Sequence, residues 1–116
     1  MKNITVYGIK NCDTMKKAFA WLDKHKVAYE FHDYKKLGAD EAVLKRAIRE
    51  LGWENALNRK GTTWRGLPDK VKGGMNAANA LKAALENPSL IRRPLVVHAK
   101  GLLAGFDEAE FGKLFG

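Results

Sequence analysis

The apolar positions at the start of the chain follow a strand pattern and then change to a helical one. Ile4 and Val6, with Tyr7, form a short strand pattern that breaks at Gly8. Cys12, Asp13 and Thr14 are helix-opening residues, and Met15, Phe19 and Leu22 then recur near the helical period as far as Lys26. From Val27 to Tyr34 the chain alternates again, Ala28 and Glu30 set against Tyr29 and Phe31, which predicts a second strand. Strand, helix and strand within about thirty residues make a βαβ unit, with a right-handed crossover and parallel strands.

The middle of the chain is patterned as helix. Asp40 is placed to cap a helix carrying Leu44, Ala47, Ile48 and Leu51 at i, i+3, i+4 and i+7, and Gly52 ends it. Trp53 to Leu57 adds a further turn, and Asn58 to Lys72, with Gly61, Gly66 and Pro68, is expected to be loop. Another helix opens at Asn76 or Ala77 and runs to Glu86, with Ala77, Ala80, Leu81, Ala84 and Leu85 inward, until Asn87-Pro88 stops it. These pieces form a helical insert spanning approximately 38–87. The last third returns to sheet: a strand at 94–98, a tight connection at Ala99-Lys100-Gly101, and an antiparallel partner from Leu102 to Phe106. Asp107 caps a final helix with Glu110 at capping-box spacing, and Phe111, Leu114 and Phe115 face inward. The order βαβ, helical insert, ββα predicts an α/β fold with a mixed four-stranded sheet. With no repeat, linker or low-complexity tract, one domain over residues 1–116 is expected.

Composition narrows the class. A chain of 116 residues supports one modest core, and 46% hydrophobic with 29% charged residues argues against both disorder and fibre. No apolar run approaches the ~18 residues of a membrane span. The stretch from Met1 to Val6 enters a strand pattern directly, without an apolar signal-peptide region or a small-residue cleavage site. A single cysteine cannot close an internal disulfide, so the expected compartment is the cytoplasm. The net charge of +8 raises nucleic acid, an anionic surface or a small anionic ligand as partners. The cations are scattered, as in Lys16-Lys17, Lys35-Lys36, Lys45-Arg46, Arg59-Lys60 and Arg92-Arg93, and no basic run is interleaved with aromatics. Nucleic acid is therefore not expected. A solvated basic surface and an anionic small molecule remain.

Cys12 is the most informative position for chemistry. It stands between a strand end and a helix start, in Gly8-Ile9-Lys10-Asn11-Cys12-Asp13-Thr14. There, unpaired backbone N–H groups and the helix dipole favour a thiolate. Lys10, Lys16 and Lys17 are near in sequence and are expected to help, whereas Asp13 opposes unless its carboxylate is used in capping. There is no Cys-x-x-Cys, because position 9 is Ile and position 15 is Met, so any redox cycle needs an outside thiol. Arg93-Pro94 heads a strand, and a cis bond there would present the backbone of residue 93 to the cysteine loop. Arg59, beside Asn58 and Gly61, is either a solvated arginine or an anion-binding one, and Thr62 to Arg65 is read as loop packing on the core. His25, His32 and His98 lack metal-ligand spacing, and His98 is a remote candidate for a base near Cys12. No metal and no nucleotide cofactor is expected.

Four stretches together resemble a known family. They are Tyr7 to Ala18, His32-Asp33-Tyr34, Leu57 to Arg65, and Ile91 to Val97. Along essentially the whole chain the pattern resembles the arsenate reductase family (ArsC and Spx types), closest to its YffB-like branch. The resemblance implies a thioredoxin-like sheet with a helical insert, a catalytic cysteine at Cys12 and a cis proline at Pro94. It further implies that Arg59 and Arg93 bind an oxyanion and stabilise the thiolate. The glutaredoxin-dependent arsenate reductases place another arginine beyond the proline, where this chain has Gly101 to Phe106 and no arginine. The Spx regulators often carry a Cys-x-x-Cys switch, which is absent here. The expected activity is thus glutathione-dependent thiol or disulfide reduction through Cys12, with poor action on arsenate. Lys10, Asn11, Arg59, Arg93 and Pro94 are the expected substrate-binding residues, glutathione the co-substrate and glutaredoxin a further candidate partner. The alternative is an Spx-like regulatory protein acting on RNA polymerase.

Overall fold

Strands and helices follow the chain in the order β1 (Thr5–Gly8), α1 (Asp13–Lys24), β2 (Glu30–Asp33), α2 (Tyr34–Leu37), α3 (Glu41–Leu51), α4 (Trp53–Ala56), α5 (Thr62–Arg65), α6 (Asp69–Gly73), α7 (Ala77–Glu86), β3 (Leu95–His98), β4 (Gly101–Ala104) and α8 (Glu108–Phe115). The computed structural model describes residues 4–116, so the first three residues of the N-terminal strand-like stretch lie outside it. The chain divides into two units, one made of the chain up to Leu37 with Arg93–Gly116, the other of Gly38–Arg92.

The first unit is a mixed four-stranded sheet in the order β2-β1-β3-β4. Strand β1 is parallel to β2 and antiparallel to β3, and β4 is antiparallel to β3. The helical stripe of α1 buries Met15, Ala18, Trp21 and Leu22 against Ile4, Val6 and Val96 of the sheet and Phe111 and Phe115 of α8. Phe111 sits at the centre, meeting Trp21, Phe106 and Phe115 edge-to-face at centroid distances of 5.5, 4.8 and 5.3 Å. Such pairs add about 0.5–1.5 kcal/mol each to plain burial. Asp107 caps α8 by accepting from the N–H groups of Ala109 and Glu110.

Both outer strands are shorter than the sequence pattern. Among the described residues the first β1–β2 pair is Thr5 with Glu30. Val27, expected in the strand, instead donates to Leu22 O and closes the end of α1. At the other end Asp33 accepts from Lys35 N–H at 3.0 Å and turns Tyr34 out of the strand into α2. Likewise β4 covers Gly101–Ala104 rather than 102–106, because β3 extends only from Leu95 to His98. Gly105, at φ +84°, then turns the chain and donates to Pro94 O at 2.8 Å.

The second unit is helical. Asp40 caps α3 through Val43 N–H at 3.1 Å, and Gly52 ends it at φ +84°. Asn76 caps α7 through Asn79 N–H at 2.8 Å. The pattern from Asn58 to Lys72 is not all loop: α5 and α6 lie within it. The breakers bound these turns instead of interrupting them. Gly61 and Gly66 flank α5, and Pro68 stands at the N-cap of α6, where a missing N–H is harmless. Leu44, Ala47, Ile48, Ala80 and Ala84 are buried, but Ala77, expected inward, is exposed. The segment after α4 is joined to the C-terminal end of the unit by a Leu57–Ile91 bridge, with Asn58 N–H on Leu90 O and Arg92 N–H on Ala56 O. No helix among the described residues is long and apolar enough to cross a membrane.

Candidate functional site

The site follows from sheet topology. Strand β1 ends at Gly8, and the next four residues carry the chain to Cys12, the N-cap of α1, in extended conformation at φ −138° and ψ 128°. Because β3 is antiparallel to β1, with Leu95 opposite Tyr7, the start of β3 lies beside the end of β1. That register brings Arg93 and Pro94 to the cysteine loop, and the Arg93-Pro94 bond is cis, as expected. Pro94 is buried and Arg93 and Cys12 are half-buried.

The Cys12 pKa lies below the ordinary cysteine value. Burial is the largest single influence and opposes ionisation. Against it act, in descending order, the N–H of Met15, a hydrogen bond from the Arg93 side chain, the N–H of Thr14, and the Arg93 charge. No side-chain hydrogen bond caps α1 by strict geometry. The two amides nevertheless face the sulfur closely enough to favour the thiolate, in the place a serine or aspartate oxygen would fill. The assisting cation is thus Arg93 and not the lysines nearby in sequence. Lys10, Lys16 and Lys17 are exposed, and water screens charges in that position. Asp13 occupies the first helical position rather than the cap.

Other expected residues fall out differently. Lys10 and Asn11 stand exposed on the loop before Cys12. Arg59 belongs to the second unit, where it is exposed with its guanidinium 5.8 Å from the centroid of the Trp53 ring, which itself stacks on Trp64 at 6.0 Å. His98 is not a base for Cys12. It lies at the far end of β3, where its Nδ1 accepts from Lys100 N–H at 3.2 Å and its ring meets Phe115. Leu103 and Phe106 pack on the apolar core, so the segment without an arginine is apolar in space as well as in sequence. Among the described residues, no three His, Cys, Asp or Glu side chains gather as a metal site.

The helix-start amides expected to favour the thiolate are those of Thr14 and Met15. Gly8 is a contributor that the sequence reading did not single out. Gly8 is a close packing point: a Cβ there would lie 2.5 Å from Met15 Sδ, so the thioether would have to shift. The signal that could have exposed it is a glycine ending a strand four residues before a cysteine.

Comparison with known proteins agrees with this fold. The model of the ArsC family matches residues 7–114. A solved structure of the YffB protein is 45% identical, superposes with a TM-score of 0.92, and is covered over 99% of its length by 97% of this chain. An arsenate reductase (ArsC) related protein from Brucella melitensis is 46% identical at a TM-score of 0.77, over 97% of this chain and 94% of that one. The global transcriptional regulator Spx of Streptococcus agalactiae is 31% identical over 92% of this chain and 79% of its own.

Proposed function

The chain belongs to the ArsC family, and we propose that it is a monothiol reductase in which Cys12 is the nucleophile and glutathione the reductant. The observation that carries this reading is the placement of Cys12 at the N-cap of α1, with the amides of Thr14 and Met15 and the side chain of Arg93 favouring its thiolate. A cysteine so placed both attacks as thiolate and departs as one.

In the proposed cycle, the Cys12 thiolate attacks the glutathione sulfur of a mixed disulfide R–S–S–G. The Cys12–glutathione bond forms, the substrate S–S bond breaks, and the released thiolate takes a proton from water. A second glutathione thiolate then attacks the glutathione sulfur held on Cys12. That step releases oxidised glutathione and returns the Cys12 thiolate to its amides. The net change is R–S–S–G plus glutathione to R–SH plus oxidised glutathione. An external thiol is required because the chain has one cysteine. Arg93 and Lys10, of the same unit, are the cations proposed to meet the glutathione carboxylates.

Arsenate is proposed to be a poor substrate. An ionised oxyanion must recover its lost hydration from paired cations and hydrogen bonds. The residues from Gly101 to Phe106 supply none of the charge that the arsenate enzymes place there, and loss of one such partner costs ~2–5 kcal/mol. Steady-state rates with a glutathione mixed disulfide and with arsenate, for wild type and Cys12→Ser, test the reading. Disulfide turnover that vanishes in Cys12→Ser, with slow arsenate reduction, is expected. Disulfide activity surviving in Cys12→Ser, or efficient arsenate turnover, refutes it.

The likeness to Spx favours a second reading, a regulatory protein that binds RNA polymerase with Cys12 as a sensor. Retention of RNA polymerase on the immobilised protein, together with absence of disulfide turnover, would select it.

A further inference from the structure

The helices α3 and α7 of the second unit enclose an open groove of about 370 Å³, lined by Lys45, Ile48, Arg49, Ala77, Ala78 and Leu81. Its floor is apolar. Ile48 is buried and Leu81 half-buried, while Ala77 and Ala78, in the first turn of α7, are exposed. The apolar stripe of α7 therefore begins one turn before its cover by α3 does. Amphipathic helices are ordinarily apolar only where another element covers them.

The rim is basic. Lys45 reaches Glu41 at 3.3 Å with its side chain 57% exposed, and Arg49 stands 4.0 Å from Glu50 with 72% exposed. Glu50 is held more closely by Arg46, at 2.7 Å, so the Arg49 charge is largely uncommitted. Exposed pairs of this kind are worth little and exchange readily for a better partner.

We propose that this groove docks an acidic amphipathic helix of a partner protein. A cleft between two helices takes a third by its i, i+3 and i+4 side chains, and the lining of α7 from Ala77 to Leu81 gives ~6 Å of cleft, so about one turn of the ligand seats in it and the adjoining turns reach the rim. Apolar anchors would occupy the space over Ile48, Ala77 and Leu81, and flanking carboxylates would meet Lys45 and Arg49. A second copy of the chain fits less well. A two-fold contact over this groove brings two copies of its rim cations, Lys45 and Arg49, together and adds no carboxylate beyond Glu41 and Glu50, which Lys45 and Arg46 already engage. Nucleic acid fits poorly too, since the floor offers no aromatic ring for stacking.

The test uses the intact protein and two fluorescein-labelled synthetic helices of about three turns, alike in their leucine stripe, one carrying glutamates and the other lysines on its flanks. Fluorescence anisotropy and amide NMR shifts are followed. The acidic peptide is expected to saturate below ~1 mM and to shift signals around residues 45–49 and 77–81. Ala78→Glu, a substitution helices tolerate and circular dichroism verifies, is expected to weaken it about tenfold or more by setting a carboxylate in the groove. Lys45→Glu with Arg49→Glu is expected to remove the preference for acid. The proposal is overturned by absence of saturation at ~1 mM, by equal binding of the lysine peptide, or by shifts confined elsewhere. It is equally overturned if sedimentation shows a dimer that Ala78→Glu dissolves, because the occupant is then a second copy.

Discussion

Replacing Gly8 with alanine tests the link between packing and the thiol. The backbone of Gly8 is not among the left-handed glycines, so a side chain is sterically barred only by its surroundings. An alanine Cβ would lie 2.5 Å from Met15 Sδ and 2.7 Å from Met15 Cε, where ordinary contact needs ~3.5–4.0 Å. Met15 is fully buried, so its thioether can yield only by repacking against its core neighbours. Overpacking of this size costs ~1–3 kcal/mol, and stiffening the unfolded chain returns ~0.4–1 kcal/mol, leaving a net loss of ~1–2 kcal/mol. Urea unfolding should show a lower midpoint at unchanged slope. Met15→Ala alone should cost ~2–5 kcal/mol, but the pair should cost less than the sum, because the methyl added at position 8 takes space that the thioether vacates. Met15 N–H is the largest of the influences favouring the Cys12 thiolate, so Gly8→Ala should also slow iodoacetamide alkylation at neutral pH. Unchanged stability in Gly8→Ala, or strict additivity in the pair, would show that Met15 is not the obstacle.

Arg93→Met removes both a hydrogen bond and a charge from the sulfur, so the pH midpoint of Cys12 alkylation should move upward, and an unmoved midpoint contradicts the assignment. A thiol whose folded pKa is depressed adds stability that is full above the unfolded pKa and is lost as pH falls through the folded one; the stability difference between wild type and Cys12→Ser should therefore grow with pH across that interval, as denaturation at several pH values would show. Phe111→Ala leaves a cavity among Trp21, Phe106 and Phe115 and should cost ~3–5 kcal/mol in chemical unfolding. Lys26, at φ +56°, is a non-glycine residue in left-handed conformation; Lys26→Gly keeps its N–H bond to Asp23 O and should raise stability by ~0.5–1 kcal/mol in the same assay.

The elements visible in the sequence are those whose signals are local. Asp40, Asn76 and Asp107 announce α3, α7 and α8 because a short polar side chain before an apolar period satisfies orphan amides wherever it occurs. Strand lengths are not local. The limits of β2 and β4 depend on which residues of β1 and β3 lie beside them, which no property of residues 27–34 or 101–106 encodes. The short helices α5 and α6 are hidden because Gly61, Gly66 and Pro68 break long helices but also delimit single turns. At the site, Cys12 is identifiable from its strand–loop–helix setting. The cation that assists it is not, because proximity in sequence favours Lys10, Lys16 and Lys17 over Arg93.

The long-range origin of that cation bears on how the thiol is controlled. Two of the favourable influences, the amides of Met15 and Thr14, come from α1 and form as soon as the helix does. The two from Arg93 exist only when β3 has paired with β1, since the Tyr7–Leu95 register is what sets Arg93 beside the loop. Burial, the largest influence of all, works against ionisation and arises from the same packing. A chain with α1 formed and β3 unpaired would thus lose one opposing influence and two favourable ones together. Reactivity at Cys12 is therefore a property of the assembled sheet and not of the helix end alone. Alkylation rate along a urea titration distinguishes the two origins. If β3 pairing matters, the pH midpoint should shift along with the loss of sheet signal, and if the helix alone sufficed it should hold until α1 itself melts.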